Sequence, residues 1–269
     1  PNNGGMYSTG AVLRDKGYTV KYFYGGNSYF DNMETFFSGN GYEIVDQKDY
    51  APEEITFANI WGVCDEDAYR KVIRTLNEDA ASGKPFFAHV MTVSNHRPFT
   101  YPAGKIRIPH DAKSRAGGVM YTDYALGRFF AEASKQPWFG NTIFLITADH
   151  CASSAGRTEI PLEKYHIPAV ILAPGLVEPC EVDGIVSQID LMPTLFSLLN
   201  MSYDSTVAAS STPTTRTAPS SPPIRTSDTS KATPSRSCRP CAASSSTAWF
   251  PRKKIRTTSN RPQRPTRSR

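Results

Sequence analysis

Apolar residues follow two patterns along this chain: short runs, and positions spaced three and four residues apart. The runs, rich in β-branched and aromatic residues, predict strands at residues 18–24, 41–45, 85–93, 142–147 and 167–173. The helical spacing predicts helices at residues 6–16, 66–81, 117–134 and 189–199. Strands and helices therefore alternate along most of the chain.

This alternation is typical of the α/β class, in which helices cover both faces of a mostly parallel sheet. The run from Thr142 to Thr147 is apolar or β-branched at every position, as in a strand that is buried on both faces of such a sheet. We therefore predict an α/β fold, a mostly parallel sheet sandwiched by helices, over residues 1–205. Residues 142–147 are predicted to be its central strand.

Residues 206–269 differ sharply in composition from this body. They carry a net charge of +12 against −7 for residues 1–205, which together give the +5 of the whole chain. Ser, Thr and Pro dominate the segment, so it cannot bury enough apolar surface to offset its conformational entropy, and we predict that it is disordered. Its abrupt start favours a shifted reading frame, with a natural basic tail that binds anionic lipid as the alternative. The acidic body gives no reason to expect nucleic acid as a partner.

The ends and the cysteines of the chain also carry information. It opens on Pro1 rather than Met, and it has neither a signal-peptide pattern nor an apolar run long enough to cross a bilayer. We expect a processed product or a fragment, truncated at the N-terminus. The five cysteines are odd in number and widely spread, which does not describe a disulfide framework.

A carboxylate and an imidazole stand together where the predicted central strand ends. Asp149 and His150 follow residues 142–147 directly, at the edge of an α/β sheet where ligands bind. This pair of oxygen and nitrogen donors suits a divalent cation such as zinc or manganese. The alternative is a helix N-cap at Asp149, with His150 as an ordinary surface residue.

Polar residues also follow two other predicted parallel strands. Asn27, Ser28, Asp31 and Asn32 come after residues 18–24 and suit hydroxyl or phosphate oxygens. His96 and Arg97 come after residues 85–93, and His96 is placed to donate to an anionic oxygen or a leaving group. Because the carboxyl ends of parallel strands meet at one edge, we expect these two clusters to lie beside Asp149 and His150.

The chain resembles the lipoteichoic acid synthase-like, or phosphoglycerol transferase, branch of the alkaline phosphatase/sulfatase superfamily. The resemblance covers roughly residues 1–204. Its motifs are YGGNSYFDNM at 24–33, WGVCDED at 61–67, SNHRPF at 94–99, YTD at 121–123, TADH at 147–150, KYHIP at 164–168 and QIDLMPT at 188–194.

This resemblance implies a metal-dependent transfer of a lipid head group. Asp149 and His150 would be two ligands of the metal, Mn²⁺ first and Zn²⁺ or Mg²⁺ as substitutes. His96 would contact the phosphoglycerol group, with Asn27, Asp31 and Arg97 completing the head-group pocket. The threonine nucleophile, which would carry a phospho-threonine intermediate, and a carboxylate ligand would lie upstream of Pro1. We therefore expect the chain as given to be catalytically inactive.

The resemblance also implies where the parent protein works and what it binds. Its partner would be a phospholipid or glycan head group. Upstream helices would anchor the parent at the extracytoplasmic face of the bacterial inner membrane. Two other functions stay open: a sulfatase or phosphodiester hydrolase on the same fold, and a non-catalytic lipid-sensing domain.

Overall fold

A parallel sheet lies at the centre of the molecule. The computed structural model describes residues 3–152 and 165–203. Strands β1 (Thr19–Tyr24), β2 (Glu43–Val45) and β5 (Phe86–Met91) form a sheet in the order β2-β1-β5. Both neighbours run parallel to β1, with Tyr22 opposite Ile44 on one side and His89 on the other.

Helices cover both faces of this sheet. They are α1 (Thr9–Asp15), α2 (Met33–Gly39), α3 (Asp65–Ala81), α4 (Arg115–Ala133) and α5 (Leu191–Leu198). Helices α3 and α4 pack against each other on one side. The predicted α/β class, a parallel sheet sandwiched by helices, is confirmed.

The two sides of β1 belong to two different hydrophobic cores. Val20, Tyr22 and Tyr24 pack with Leu13 of α1 and Phe196 of α5 on one face. On the other face Phe23 packs with Val72 and Leu76 of α3, Ala133 of α4 and Trp138. Side chains of a strand alternate between faces, so an apolar β1 contributes to both cores. Lys21 interrupts the apolar pattern of this strand, and its buried ammonium pairs with Asp79 over 2.7 Å.

The prediction of a central strand at residues 142–147 is wrong in two respects. The strand is shorter, β6 (Phe144–Thr147), and it pairs antiparallel with β7 (Ala169–Leu172) in a separate two-stranded sheet. Neither strand is buried on both faces: Thr147 and Val170 are exposed. An apolar run indicates that at least one face of a strand is in contact with other apolar residues, but it does not determine the direction of the partner strand. Here Phe144 of β6 contacts Phe129, Phe130 and Phe139.

Some elements were not predicted at all. Helix α2 follows two residues in left-handed conformation, Asp31 and Asn32. Strands β3 (Ala58–Asn59) and β4 (Gly62–Val63) form a two-residue antiparallel hairpin. Within residues 3–152 and 165–203, no helix combines the length and hydrophobicity that a membrane span needs. The predicted disorder of residues 206–269 lies outside the described residues.

Candidate functional site

The turn after β1 is shaped by contact with the β3–β4 hairpin. The amide of Val63 donates to the carbonyl oxygen of Gly25 over 2.9 Å. A Cβ atom at Gly26 would lie 2.2 Å from the Trp61 carbonyl oxygen, and one at Gly62 would lie 2.1 Å from the Gly25 carbonyl oxygen. The absence of side chains here therefore lets two backbone segments meet, and their meeting fixes the position of Trp61.

Trp61 joins the segment after β1 to the segment after β5. Its ring centroid lies 5.1 Å from that of Phe30 and 4.2 Å from that of His96. Its indole N–H donates to the carbonyl oxygen of Arg97 over 2.6 Å. Two of the three predicted polar clusters therefore converge, and an aromatic side chain of the hairpin brings them together.

The hydrogen bond of the His96 ring determines what this side chain offers to a ligand. Its Nδ1 lies 2.9 Å from the carbonyl oxygen of Arg97, and a carbonyl oxygen accepts without donating, so Nδ1 carries hydrogen. Neutral His96 then presents a lone pair at Nε2, which accepts from a hydroxyl group. It donates to an anionic oxygen from Nε2 when the ring is protonated.

The other predicted residues of this surface divide into exposed and buried ones. Asn27, Asp31 and Arg97 are exposed, as is His96, although the Asn27 side chain also accepts from the amide of Tyr29 over 3.0 Å. Ser28 was predicted to bind ligand oxygens, and this is wrong. It is fully buried, and its hydroxyl and amide both donate to Asp46, over 2.5 and 2.9 Å.

The Ser28–Asp46 contact holds the turn from below. Burial of the Asp46 carboxylate acts to raise its pKa, but hydrogen bonds from Ser28 and Lys48 outweigh burial and leave the pKa below its ordinary value. Asp46 is therefore charged and multiply hydrogen-bonded in the folded state. A buried carboxylate with several donors is a rigid anchor, and here it fixes the backbone between Asn27 and Asp31.

Asp149 and His150 follow β6 as predicted and face each other at the surface. His150 Nε2 lies 3.4 Å from Asp149 Oδ2, with 75% and 61% of the two side chains exposed. His150 Nδ1 lies 2.7 Å from the Cys151 carbonyl oxygen, so the ring hydrogen is at Nδ1 and Nε2 presents its lone pair to the carboxylate. The amide of His150 donates to the other oxygen, Asp149 Oδ1, over 2.8 Å.

This arrangement fits a divalent cation. Two acceptor atoms face each other, and a proton or a metal ion between them makes the contact favourable. Ligands bound at about 2.1 Å in tetrahedral geometry lie about 3.4 Å apart, as these two atoms do. A carbonyl oxygen on the far nitrogen is also the usual partner of a metal-binding histidine. Within residues 3–152 and 165–203, no group of three or more His, Cys, Asp or Glu side chains is placed to hold a metal, so the pair is an incomplete ligand set.

A residue that sequence reasoning did not single out supports this pair. The side-chain amide of Gln188 donates to the carbonyl oxygens of Ala148 and Asp149, over 3.1 and 3.0 Å. Gln188 belongs to the QIDLMPT motif, so the motif carried the signal without indicating the role. The described contacts of Asp149 and His150 are with each other, Cys151 and Gln188; none reaches Asn27, Asp31 or His96.

Comparison with known proteins identifies the family to which this chain belongs. Residues 8–201 match the family model named Sulfatase. The chain belongs to the sulfatase family. The predicted resemblance to the phosphoglycerol transferase branch is also confirmed, because the relatives of this sulfatase-family chain include phosphoglycerol transferases and lipoteichoic acid synthases.

The relatives are distant and much longer than this sulfatase-family chain. Phosphoglycerol transferase I from Escherichia fergusonii is 24% identical over 155 residues, which are 53% of this chain and 20% of that protein. Lipoteichoic acid synthase 2 from Bacillus subtilis is 24% identical over 217 residues, 73% of this chain and 33% of that protein. The chain thus spans about a fifth to a third of the length of these curated relatives.

Solved structures agree on the fold. A protein of the alkaline phosphatase superfamily from Vibrio parahaemolyticus is 40% identical with a TM-score of 0.71, over 74% of this chain and 49% of that one. The lipoteichoic acid synthase LtaP from Listeria monocytogenes is 24% identical with a TM-score of 0.65, over 74% of this chain and 54% of that one.

Proposed function

We propose that the described residues form the head-group-binding part of a metal-dependent phosphoglycerol transferase of the sulfatase family. The observation that carries this proposal is the meeting, around Trp61, of the Asn27–Asp31 turn with His96 and Arg97. The names of the relatives support the same substrate class.

The chemistry of this surface suits a ligand with both a phosphate and hydroxyl groups. The Arg97 guanidinium supplies positive charge and paired donors for phosphate oxygens. Asp31 and neutral His96 are acceptors, and they suit hydroxyl groups rather than anionic oxygens. A phosphoglycerol group has both features. The sulfate group of a sulfate ester offers no donor to these acceptors, whereas the glycerol hydroxyls of phosphoglycerol do, and with the names of the relatives this supports the transferase.

Asp149 and His150 are the residues of this chain that would hold the divalent cation, with Mn²⁺ the first choice and Zn²⁺ or Mg²⁺ the alternatives. A bound cation would supply Lewis-acid stabilisation of charge on phosphoryl oxygens. Gln188 keeps the backbone of Asp149 in place for this role. The finer proposal, that transfer passes through a phospho-threonine, assigns the nucleophile to no described residue of this chain.

We also propose a setting for the reaction. The substrate is the head group of a phospholipid or of a glycan, and the parent protein acts at the extracytoplasmic face of the bacterial inner membrane. Recognition of the head group can be tested with the purified chain and without a membrane, because the head group alone is a soluble molecule.

The test is binding of sn-glycerol 1-phosphate to the 269-residue chain, measured by calorimetry and compared with inorganic phosphate and inorganic sulfate. We expect His96→Gln and Arg97→Ala to weaken binding of glycerol phosphate. His110→Gln and Arg107→Ala are matched controls, because both residues are exposed in the loop before α4. Equal affinity for sulfate, or equal losses in the controls, would contradict the proposal.

A further inference from the structure

A buried carboxylate lies directly behind the His96 loop. Asp65 is the first residue of α3 and is completely buried. Its Oδ1 accepts from the amides of Val93 and Ser94, over 3.1 and 2.9 Å. Val93 and Ser94 stand just after β5 and lead into Asn95 and His96. The carboxylate therefore binds the base of the loop that presents His96.

The same carboxylate also ties the loop to two helices. The hydroxyl of Thr122, in α4, donates to Asp65 Oδ2 over 3.0 Å. The Asp65 amide donates to the hydroxyl of Ser94 over 3.1 Å, so the two residues bond to each other in both directions. Ser94 is itself 1% exposed. Removing the carboxylate would leave several donors buried and unpaired, which is costly.

The turn beyond these bonds is tight, so a fixed base fixes the imidazole. The amide of His96 donates to the carbonyl oxygen of Val93 over 3.0 Å. The amide of Phe99 in turn donates to the carbonyl oxygen of His96 over 2.8 Å. The His96 ring is then held from outside by Trp61. The position of His96 thus has two supports, Asp65 beneath the loop and Trp61 beside the ring.

We propose that Asp65 is a positioning residue for His96: its bonds to the Val93 and Ser94 amides, braced by Thr122, hold the imidazole where it meets the head group. The role of Asp65 in head-group binding rests on the proposed function, whereas its hydrogen bonds to the loop do not depend on any substrate. Asparagine is a fair substitute for Asp65, because its single side-chain oxygen can accept from both backbone amides.

Burial is consistent with that substitution. It acts to raise the pKa of the Asp65 carboxyl above its ordinary value, against the hydrogen bonds that Ser94, Thr122 and Val93 donate. A neutral amide in the same place escapes the desolvation cost of a charge. Asp65→Asn is therefore expected to keep the loop, and Asp65→Ala to release it.

The experiment follows the His96 ring by NMR in the 269-residue chain labelled at histidine, with His96→Gln used to identify its signals. In the parent chain we expect the Trp61 ring, at 4.2 Å between centroids, to shift the His96 ring protons upfield of those of exposed His110. We expect Asp65→Ala to abolish this displacement, Thr122→Val to reduce it, and Asp65→Asn to preserve it.

Asp79→Ala is the matched control. Asp79 lies near the other end of the same helix, its side chain is 11% exposed, and its Oδ1 accepts from the buried Lys21 ammonium over 2.7 Å. Its loss should also lower stability, because it leaves the Lys21 charge poorly paired, yet it should leave the His96 shift unchanged. Unchanged His96 signals in Asp65→Ala, or equal changes in Asp79→Ala, would overturn the proposal. Should Asp65→Ala not fold, an unchanged shift in Thr122→Val overturns it instead.

Binding of sn-glycerol 1-phosphate is measured on the same proteins. We expect Asp65→Ala to weaken it by about tenfold, the lower end of what is lost when a residue that orients a ligand-binding group is removed, and Asp79→Ala to leave it unchanged. If no form binds the head group while the His96 shift still follows Asp65, the positioning relationship stands and the proposed function is what fails. If Asp65→Ala binds as tightly as the parent chain, Asp65 has no role in head-group recognition.

Discussion

The indole N–H of Trp61 donates to the carbonyl oxygen of Arg97 over 2.6 Å. The same oxygen lies 2.9 Å from Nδ1 of His96, so one carbonyl accepts from two rings. This shared acceptor couples the β3–β4 hairpin to the loop after β5. It also sets the tautomer of His96, because a carbonyl oxygen can only accept, so Nδ1 carries the hydrogen.

Trp61→Phe tests this coupling. Phenylalanine keeps an aromatic ring against Phe30 but loses the N–H. We therefore expect a smaller upfield displacement of the His96 ring protons and weaker binding of glycerol phosphate. The lost hydrogen bond should also cost about 0.5–1.5 kcal/mol of unfolding free energy, measured by denaturant titration.

Trp138→Phe is the control for that change. Its indole N–H donates to Asn77 over 2.7 Å, in the core on the other side of the sheet. It should lower stability similarly without altering binding. Equal loss of binding in both variants would show that the effect is general destabilisation.

Elements with a long or strongly periodic pattern could be predicted from the sequence. Helix α3 was expected at residues 66–81 and spans Asp65–Ala81; β1 was expected at residues 18–24 and spans Thr19–Tyr24. Strands β3 and β4 are two residues each, too short to show any period. The pairing of β6 with β7 was missed because an apolar run does not specify its partner.

The position of candidate residues could be predicted where they closely follow a strand, as for His96, Asp149 and His150, which are exposed there. The role of a residue could not be predicted where it depends on distant contacts. The sequence indicates a polar turn residue at Ser28, but in the structure its hydroxyl and its amide both donate to Asp46, eighteen positions away. Trp61 and Gln188 lie within recognisable motifs, yet their roles depend on loops that come together in the folded chain.

Gly26→Ala should destabilise the protein through the contact that seats Trp61. The new Cβ would lie 2.2 Å from the Trp61 carbonyl oxygen, a backbone atom that cannot move aside easily. Overpacking of this kind costs about 1–3 kcal/mol, and displacement of the hairpin should also weaken binding of glycerol phosphate.

Gly127→Ala provides the opposite result within the same chain. Gly127 lies inside α4 with nothing within 4 Å of its added Cβ. Alanine is preferred to glycine in a helix interior by about 0.8–1.0 kcal/mol, so thermal unfolding should shift upward. A stabilising effect of Gly26→Ala would show that the close approach in the turn is not a constraint.

Ser28→Ala should make the protein more sensitive to acid. The pKa of Asp46 is lowered in the folded state, so its contribution to stability is present above the ordinary Asp pKa and is lost as pH falls through the folded pKa. Removing the Ser28 hydroxyl raises that folded pKa. The midpoint of acid unfolding, followed by circular dichroism, should therefore move to higher pH, with a loss of about 1–3 kcal/mol near neutral pH.

Ser38→Ala separates this effect from the loss of any serine. The Ser38 hydroxyl donates to the Glu34 carbonyl oxygen over 2.6 Å in an exposed position of α2, and its described contacts include no carboxylate. We expect the acid midpoint of this variant to match that of the parent chain. A shift equal to that of Ser28→Ala would remove the special role of Asp46.

Addition of Mn²⁺ should broaden the ring signals of His150 before those of the other histidines. The facing lone pairs of His150 Nε2 and Asp149 Oδ2, 3.4 Å apart, form a two-atom binding site for the ion. His110 and Asp111 are adjacent in sequence too, but they form no such pair among the described contacts of residues 3–152.

Asp149→Ala should raise the Mn²⁺ concentration needed for broadening by about tenfold, equivalent to about 1.4 kcal/mol. Asp111→Ala should change nothing at His150. Because His150 Nδ1 is held by the Cys151 carbonyl oxygen in either case, loss of broadening in Asp149→Ala reports the loss of a ligand rather than a turned ring. Equal broadening of His110 and His150 in the parent chain would show that the Asp149–His150 pair has no preference for the ion.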